Sequence, residues 1–153
     1  MLAAAARADW LLAEADGSRR LPVKAPAAHE PVLLEPCRAV IAVAGLSALG
    51  HPLSRVCHRP ELACAVLGVS PETPLTPELL ARLLASPLGQ FKGVGEPGQL
   101  RLFLNQADTP AFVRLGEQTA RLSLALLPGC RAVVAALRPE PAVKGVFPHA
   151  NSD

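Results

Sequence analysis

An acidic residue and a glycine, Asp16 and Gly17, stand where an apolar run ends and could take part in nucleotide binding. The preceding residues 10–15 read Trp-Leu-Leu-Ala-Glu-Ala, and a short apolar run with an abrupt polar end predicts a buried strand. In α/β sheets, ligands lie beyond the carboxyl ends of the strands. There the Asp16 carboxylate could hold a Mg²⁺ ion through water, while Gly17 would let a phosphate approach. A turn that simply follows the strand explains the same dipeptide.

A second candidate is the tetrapeptide Asn105-Gln106-Ala107-Asp108, which follows the predicted strand 100–104. In nucleotide-binding α/β domains, Asn-Lys-x-Asp at this place reads a guanine ring. The Asp carboxylate accepts two N–H bonds from the base, and the Asn amide ties neighbouring loops together. Here Gln106 stands where that pattern has a Lys whose aliphatic stem packs along the base. The alternative is a polar turn before the next helix.

Basic residues occupy the segment that follows the first predicted strand. Residues 19–37 contain four prolines, which disfavour regular structure and predict a long ordered loop. Arg19, Arg20 and Lys24 lie in this loop and would suit a phosphate or another oxyanion. A solvated basic loop is the alternative interpretation.

The histidines do not indicate a metal site. The spacing of His51, Cys57 and His58 matches no usual zinc pattern, and an adjacent Cys and His rarely ligate the same ion. His29 lies alone in the proline-rich loop. Loop histidines are seldom metal ligands, so these residues are not assigned to a metal.

Several catalytic motifs do not occur in the sequence. There is no G-x-x-x-x-G-K-[ST] phosphate loop, and the glycine-rich stretch 93–98 lacks the required Lys and hydroxyl. Pro97 also removes one backbone N–H from that stretch. Neither G-x-S-x-G nor H-E-x-x-H is present, so a hydrolase is not supported. No catalytic residue is assigned.

The elements that must position these residues alternate along the chain. Thr-Pro helix starts and apolar periodicity predict helices at 60–67, from Pro77 onward and at 111–126. Apolar runs predict strands at 10–15, 37–44, 100–104 and 132–137. The strand at 37–44 lacks alternation, which predicts burial on both faces. This order predicts one α/β domain over residues 1–153, with a mostly parallel sheet flanked by helices and a flexible tail at 138–153.

Composition narrows the class of protein. Half of the 153 residues are hydrophobic and 18% are charged, which predicts a packed globular domain. Only 3% are aromatic and the net charge is +2, so neither nucleic-acid binding nor a membrane surface is expected. No run reaches the roughly 20 apolar residues that span a bilayer. Four cysteines without a C-x-x-C pair predict no disulfide framework, and the cytoplasm is the expected compartment.

Longer segments, together covering most of residues 9–137, resemble the YqeC family. They are more specific than the short patterns above. The matching segments are Glu14-Ala15-Asp16-Gly17-Ser18-Arg19-Arg20, Lys24-Ala25-Pro26, His29-Glu30-Pro31-Val32, Gly45-Leu46-x-Ala48-Leu49-Gly50-x-Pro52-Leu53, Val56-x-His58-Arg59-Pro60-Glu61, Lys92-Gly93 and Leu104-Asn105-Gln106-Ala107-Asp108.

The resemblance implies a P-loop NTPase-like fold and a role in the maturation of selenium-dependent molybdenum hydroxylases. Its implied partner is such a hydroxylase or the maturation machinery, and its implied cofactors in complete relatives are Mg²⁺ and GTP or ATP. Asp16 and Gly17 would lie on the Mg²⁺ and γ-phosphate side, and Lys24 and His29 in the loop beside it. Asn105 and Asp108 would face the base.

The chain departs from the family pattern at its amino end. Members begin with a strand, a Gly-rich phosphate loop of the Lys-Thr-Thr type and a helix, which this sequence lacks. We therefore expect a truncated domain in which Leu2 to Ala8 are the end of a helix, and no nucleotide hydrolysis by this chain alone. Two alternatives remain: a non-catalytic protein-interaction module and a molybdopterin nucleotidyltransferase-like enzyme.

Overall fold

A computed structural model describes residues 8–35 and 37–148 of the chain. The strands are β1 (Val23–Lys24), β2 (Val40–Gly45), β3 (Cys57–His58), β4 (Leu100–Asn105), β5 (Arg131–Ala136) and β6 (Ala142–Phe147). The helices are α1 (Leu53–Val56), α2 (Pro60–Leu67), α3 (Pro77–Ala85) and α4 (Pro110–Leu126), with 3-10 turns at Leu46–Ala48 and Pro97–Gln99. The mixed α/β class is as the sequence predicts.

The main sheet has the strand order β2-β4-β5-β6. Strands β2, β4 and β5 are parallel, and β6 is antiparallel to β5. The short strands β1 and β3 form a separate parallel pair. The predicted strands at 37–44, 100–104 and 132–137 are confirmed within a few residues, and the sheet is mostly parallel, as expected.

Strand β2 is buried on one face only. Ala42 and Ala44 point into the core, whereas Ile41 and Val43 are each 56% exposed. The prediction that both faces are covered is therefore wrong for this strand. Apolar residues at every position do not show which face is covered, because they suit a half-covered and a fully covered strand equally well.

The predicted helix starts are confirmed by their capping bonds. The Thr76 hydroxyl accepts a hydrogen bond from Leu79 N at the start of α3, and the Thr109 hydroxyl does the same for Phe112 N at the start of α4. In both helices proline follows the capping residue, where its missing N–H costs no helical bond. Gly68 ends α2 in the left-handed conformation, with φ 72°.

Helix α4 approaches the sheet closely because its inner face carries small residues. Gly116, Thr119 and Ser123 are buried on that face. The Thr119 hydroxyl donates to Leu115 O and the Ser123 hydroxyl to Thr119 O, each at 2.8 Å, so neither buried hydroxyl is left unpaired.

The first predicted strand is absent from its predicted place. Residues 10–15 form neither strand nor helix, and Trp10 and Leu12 are 86% and 84% exposed. A short, mostly apolar run does not show whether another strand pairs with it. In the described part of the chain, no strand pairs with these residues. The prediction of a buried strand is therefore wrong. Residues 1–7, most of the helix predicted at Leu2 to Ala8, lie outside the described residues, and Ala8 itself is not helical.

The predicted flexible tail contains strand β6. Val146 pairs with Val133 and Phe147 with Ala132. Phe147 also lies under the Arg121 guanidinium of α4, 5.6 Å from the ring centroid. The prediction of a tail over 138–153 is therefore wrong for this part. The strand was missed because its alternation is short and follows two prolines. Residues 149–153 lie outside the described residues.

In the part of the chain that the structure describes, no helix is long and apolar enough to cross a membrane.

Replacing Gly116 with Ala should destabilise the fold. The added methyl carbon would lie 2.8 Å from a Leu46 methyl and 2.8 Å from a Val134 methyl. Overpacking costs about 1–3 kcal/mol, and the higher helix propensity of Ala offsets at most about 1 kcal/mol of it. We expect the free energy of unfolding in urea to fall by about 1 kcal/mol. The matched control Glu117→Ala should change it by less than about 0.5 kcal/mol, and a Gly116→Ala variant more stable than wild type would contradict the packing described here.

Candidate functional site

Three loops meet at the carboxyl edge of the parallel strands. Gly45 ends β2 level with Asn105, which ends β4. The Gly45 N–H donates to Pro22 O at 2.7 Å, which ties the proline-rich loop to the end of β2. The Ser47 hydroxyl donates to Gln106 Oε1 at 2.6 Å, which ties the turn after β2 to the loop after β4. This edge is where open α/β sheets bind ligands.

The close approach of these loops requires glycine at position 45. A Cβ there would overlap Gln106 Oε1 and would lie 2.7 Å from Pro22 Cβ. Gln106 has a left-handed backbone with φ 68°. The loop-tying role that the nucleotide-binding pattern gives to Asn belongs here to Gln106. Asn105 Oδ1 is buried and has no hydrogen-bond partner among the described residues.

The Lys24 side chain lies at the centre of a buried ion cluster. It is 4% exposed, and its Nζ lies 2.8 Å from Glu30 Oε2 and 3.0 Å from Asp16 Oδ2. It also donates to Gly17 O at 2.9 Å. An ammonium has three N–H donors, and these three acceptors engage all of them. Lys24 therefore fixes the positions of Asp16 and Gly17. It has no N–H donor left for a phosphate.

Glu30 is the acceptor that links this cluster to helix α2. Its carboxylate accepts hydrogen bonds from both terminal nitrogens of Arg59, at 2.6 and 3.1 Å, and from the N–H of Ala27, at 3.2 Å. The hydrogen bond from Lys24 is the main reason that the pKa of Glu30 falls from 4.5 to about 2. Burial opposes this shift, and the bonds from Arg59 and Ala27 strengthen it. Glu30 is therefore ionised at neutral pH, although its side chain is only 14% exposed.

The loop after α3 donates side-chain hydrogen bonds to the backbone of the segment that carries the ion cluster. Gln90 Nε2 donates to Lys24 O at 2.7 Å. Lys92 Nζ donates to Ala27 O at 2.6 Å and to Ala28 O at 2.8 Å. Sequence reasoning gave neither Gln90 nor Lys92 a role. The signal for Lys92 was the Lys92-Gly93 segment of the family resemblance, and Gln90 had none.

The predicted basic residues lie around this cluster. Arg19 and Arg20 are exposed and left-handed, with φ 53° and 64°. His29 is 79% exposed, and its Nε2 lies 4.0 Å from Glu30 Oε1. Burial is the largest cause of a lowered pKa at His58, and three cations lower it further: Arg59, Arg19 and Lys24.

Asp108 lies in a different recess from the ion cluster. A groove of about 410 Å³ is lined by the apolar residues Ala107, Pro110 and Val113 and by Thr109. Its charged residues are Asp108, Arg114 and Lys144. Sequence reasoning missed Arg114 and Lys144, because they belong to no motif and come from α4 and β6. The structure thus brings Asp16, Gly17 and Lys24 together in the cluster, and places Asp108 in the groove that follows Asn105 and Gln106.

Replacing Glu30 with Gln should destabilise the protein strongly. Removing one partner of a buried ion pair leaves uncompensated charge, here on Lys24 and Arg59, and such changes cost about 3 kcal/mol. The matched control is Glu117→Gln, which removes an exposed pair with Arg121 at 3.8 Å and should cost less than about 0.5 kcal/mol. Equal losses in the two variants, measured by urea unfolding, would show that the ion cluster is not structural.

Comparing wild type with Glu30→Gln at different pH values tests the lowered pKa of Glu30. A carboxylate with a lowered folded-state pKa contributes stability that is complete above its unfolded pKa of about 4.5 and is lost as the pH falls towards 2. Wild type should therefore lose more unfolding free energy than Glu30→Gln between pH 5 and pH 2.

Comparison with known proteins shows which family this chain is similar to. The YqeC protein family model matches residues 1–61. "Uncharacterized protein YqeC" of Escherichia coli (strain K12) is 37% identical over 99 residues, which are 64% of this chain and 39% of the relative. The chain therefore spans about two fifths of the length of that relative. No solved structure matches the chain significantly. The matched residues include the ion-cluster loop, and over them the chain is similar to the YqeC family.

Proposed function

We propose that this chain is a nucleotide-binding accessory factor for the maturation of a selenium-dependent molybdenum hydroxylase. The observation that carries nucleotide binding is the Asp108 groove beyond the carboxyl end of β4. Asp16, in the loop held by Lys24, lines a separate recess with residues 40–42 of β2. The resemblance to the family and the parallel strands β2, β4 and β5 support a P-loop NTPase-like fold.

The Asp108 groove suits the base of the nucleotide. Asp108 is exposed and lines the groove together with three apolar residues, Ala107, Pro110 and Val113. A carboxylate has two acceptor oxygens, which match the two adjacent N–H donors on the edge of guanine. Adenine lacks this pair of donors on the corresponding edge. The groove therefore favours GTP over ATP, and Asn105 and Gln106 shape the loop that presents Asp108.

The ion-cluster loop suits the phosphates. Asp16 keeps one carboxylate oxygen free of Lys24 and is 23% exposed, so it could hold Mg²⁺ through water. Gly17 carries no side chain that would block a phosphate. Arg19 and Arg20 present exposed guanidinium groups on the same loop, and His29 lies exposed beyond them. Lys24 acts indirectly here, because it orients Asp16 rather than touching the ligand.

Binding without hydrolysis follows from the sequence of this chain. No G-x-x-x-x-G-K-[ST] segment is present in the 153 residues, so neither its backbone N–H cradle nor its Lys is available to stabilise the transferring phosphoryl group. The role in hydroxylase maturation rests on the family resemblance. The partner it implies is the hydroxylase or its maturation machinery.

A protein-interaction module is the second candidate, and one observation favours it. The face of the sheet away from α4 carries exposed apolar side chains: Ile41, Val43 and Val146. Parallel sheets are ordinarily covered on both faces, so this surface suits a protein contact. Such a contact would leave the carboxyl edge accessible, and the two candidates differ in whether the isolated chain binds nucleotide.

Replacing Asp108 with Asn should change the preferred base. The Asn amide offers one donor and one acceptor, which match xanthine, where a carbonyl replaces the 2-amino group of guanine. We expect wild type to prefer GDP over XDP and ADP, and Asp108→Asn to bind GDP about tenfold more weakly and to gain affinity for XDP. Calorimetric titration measures both affinities.

The matched control is Glu72→Gln, which removes an exposed carboxylate from the connection between α2 and α3. It should leave GDP affinity unchanged. A wild-type chain that binds no nucleotide, or an Asp108→Asn variant with unchanged GDP affinity, would refute the proposed base site.

A further inference from the structure

Lys144 occupies an irregular position in strand β6. Val134 pairs with Gly145, and the next residue, Ala135, pairs with Val143. The register therefore skips Lys144, which is the extra residue of a β-bulge. Bulges often lie next to functional sites, where they re-aim a side chain. Here the bulged residue lines the groove that contains Asp108.

The other two lysines have structural roles that Lys144 does not share. Lys24 is saturated by the ion cluster, and Lys92 donates to two carbonyl groups of the proline-rich loop. Lys144 is exposed and lines the groove. Arg114 of α4 lines the same groove. The groove thus carries one carboxylate and two cations with long aliphatic stems.

We propose that Lys144 supplies, from β6, the cation and aliphatic stem that the nucleotide-binding pattern places at position 106, and that the groove binds a 2-amino-4-oxopyrimidine ring. This inference rests on the proposed function, because it assumes that Asp108 accepts hydrogen bonds from the ring. The Asp108 carboxylate receives the ring N–H and the amino N–H. The Lys144 stem packs along the plane of the ring, with its ammonium near the electron-rich carbonyl edge.

The 2-amino-4-oxopyrimidine edge is common to guanine and to pterins. Both rings are planar and present the same two adjacent donors. The apolar residues that line the groove, Ala107, Pro110 and Val113, suit either ring. The two sources differ in what the ring carries, because a guanine nucleotide brings phosphates and a simple pterin does not.

The test compares Lys144→Ala with Lys144→Met in calorimetric titrations with GDP and, separately, with neopterin. Lys144→Ala should weaken binding about tenfold, and Lys144→Met, which keeps an unbranched stem, should weaken it by less than about threefold. Arg131→Ala is the control, since Arg131 is exposed at the opposite end of β5 and should not affect affinity. Circular dichroism of each variant checks that the fold is intact.

The outcomes separate the inference from the proposed function. Binding of GDP alone would identify a guanine nucleotide as the source of the ring, and binding of neopterin would identify a pterin. Either result supports the groove if Lys144→Ala weakens it. Wild-type affinity in Lys144→Ala, with GDP binding still weakened in Asp108→Asn, would overturn the role of Lys144 and leave the base site standing. Failure of wild type to bind either ring would refute both.

Discussion

The Lys24 ammonium, buried among two carboxylates and a carbonyl oxygen, is the charge around which the proline-rich loop of this domain is arranged. A buried ammonium is tolerated only when its donors are engaged and its charge is balanced. Asp16, Glu30 and Gly17 O meet this requirement. Glu30 then also binds Arg59, which begins helix α2. A loop with several prolines is thereby fixed by charges as well as by the short β1–β3 backbone pairing.

Parts of the fold were predictable from local sequence, and others were not. The Thr-Pro starts of α3 and α4 and the apolar runs of β2, β4 and β5 are local signals, and the structure confirms them. The run at 10–15 has the same apolar character as β2, but strand formation depends on a partner that local sequence does not specify. The alternation in β6 was hidden by its position after two prolines and by the bulge at Lys144.

The candidate site shows the same division between local and non-local information. Asn105 and Asp108 are candidates from a motif at the end of β4, whereas the strand predicted before Asp16 and Gly17 is absent. The position of Lys24 is also local, but its burial and its ion pairs depend on Glu30. Gln106 was read as a departure from the nucleotide-binding pattern, yet its bond to Ser47 joins two loops. Contacts between distant segments decide these roles, so sequence spacing alone does not reveal them.

The most direct test of a ligand site at this edge is a map of backbone amide shifts in the ¹⁵N-labelled protein as GDP is added. A site at the carboxyl edge predicts the largest changes at Gln106 to Asp108, around the bulge at Lys144 and in the loop from Asp16 to Arg20. Absence of changes at saturating GDP, or changes confined to the exposed sheet face at Ile41 and Val43, would contradict it.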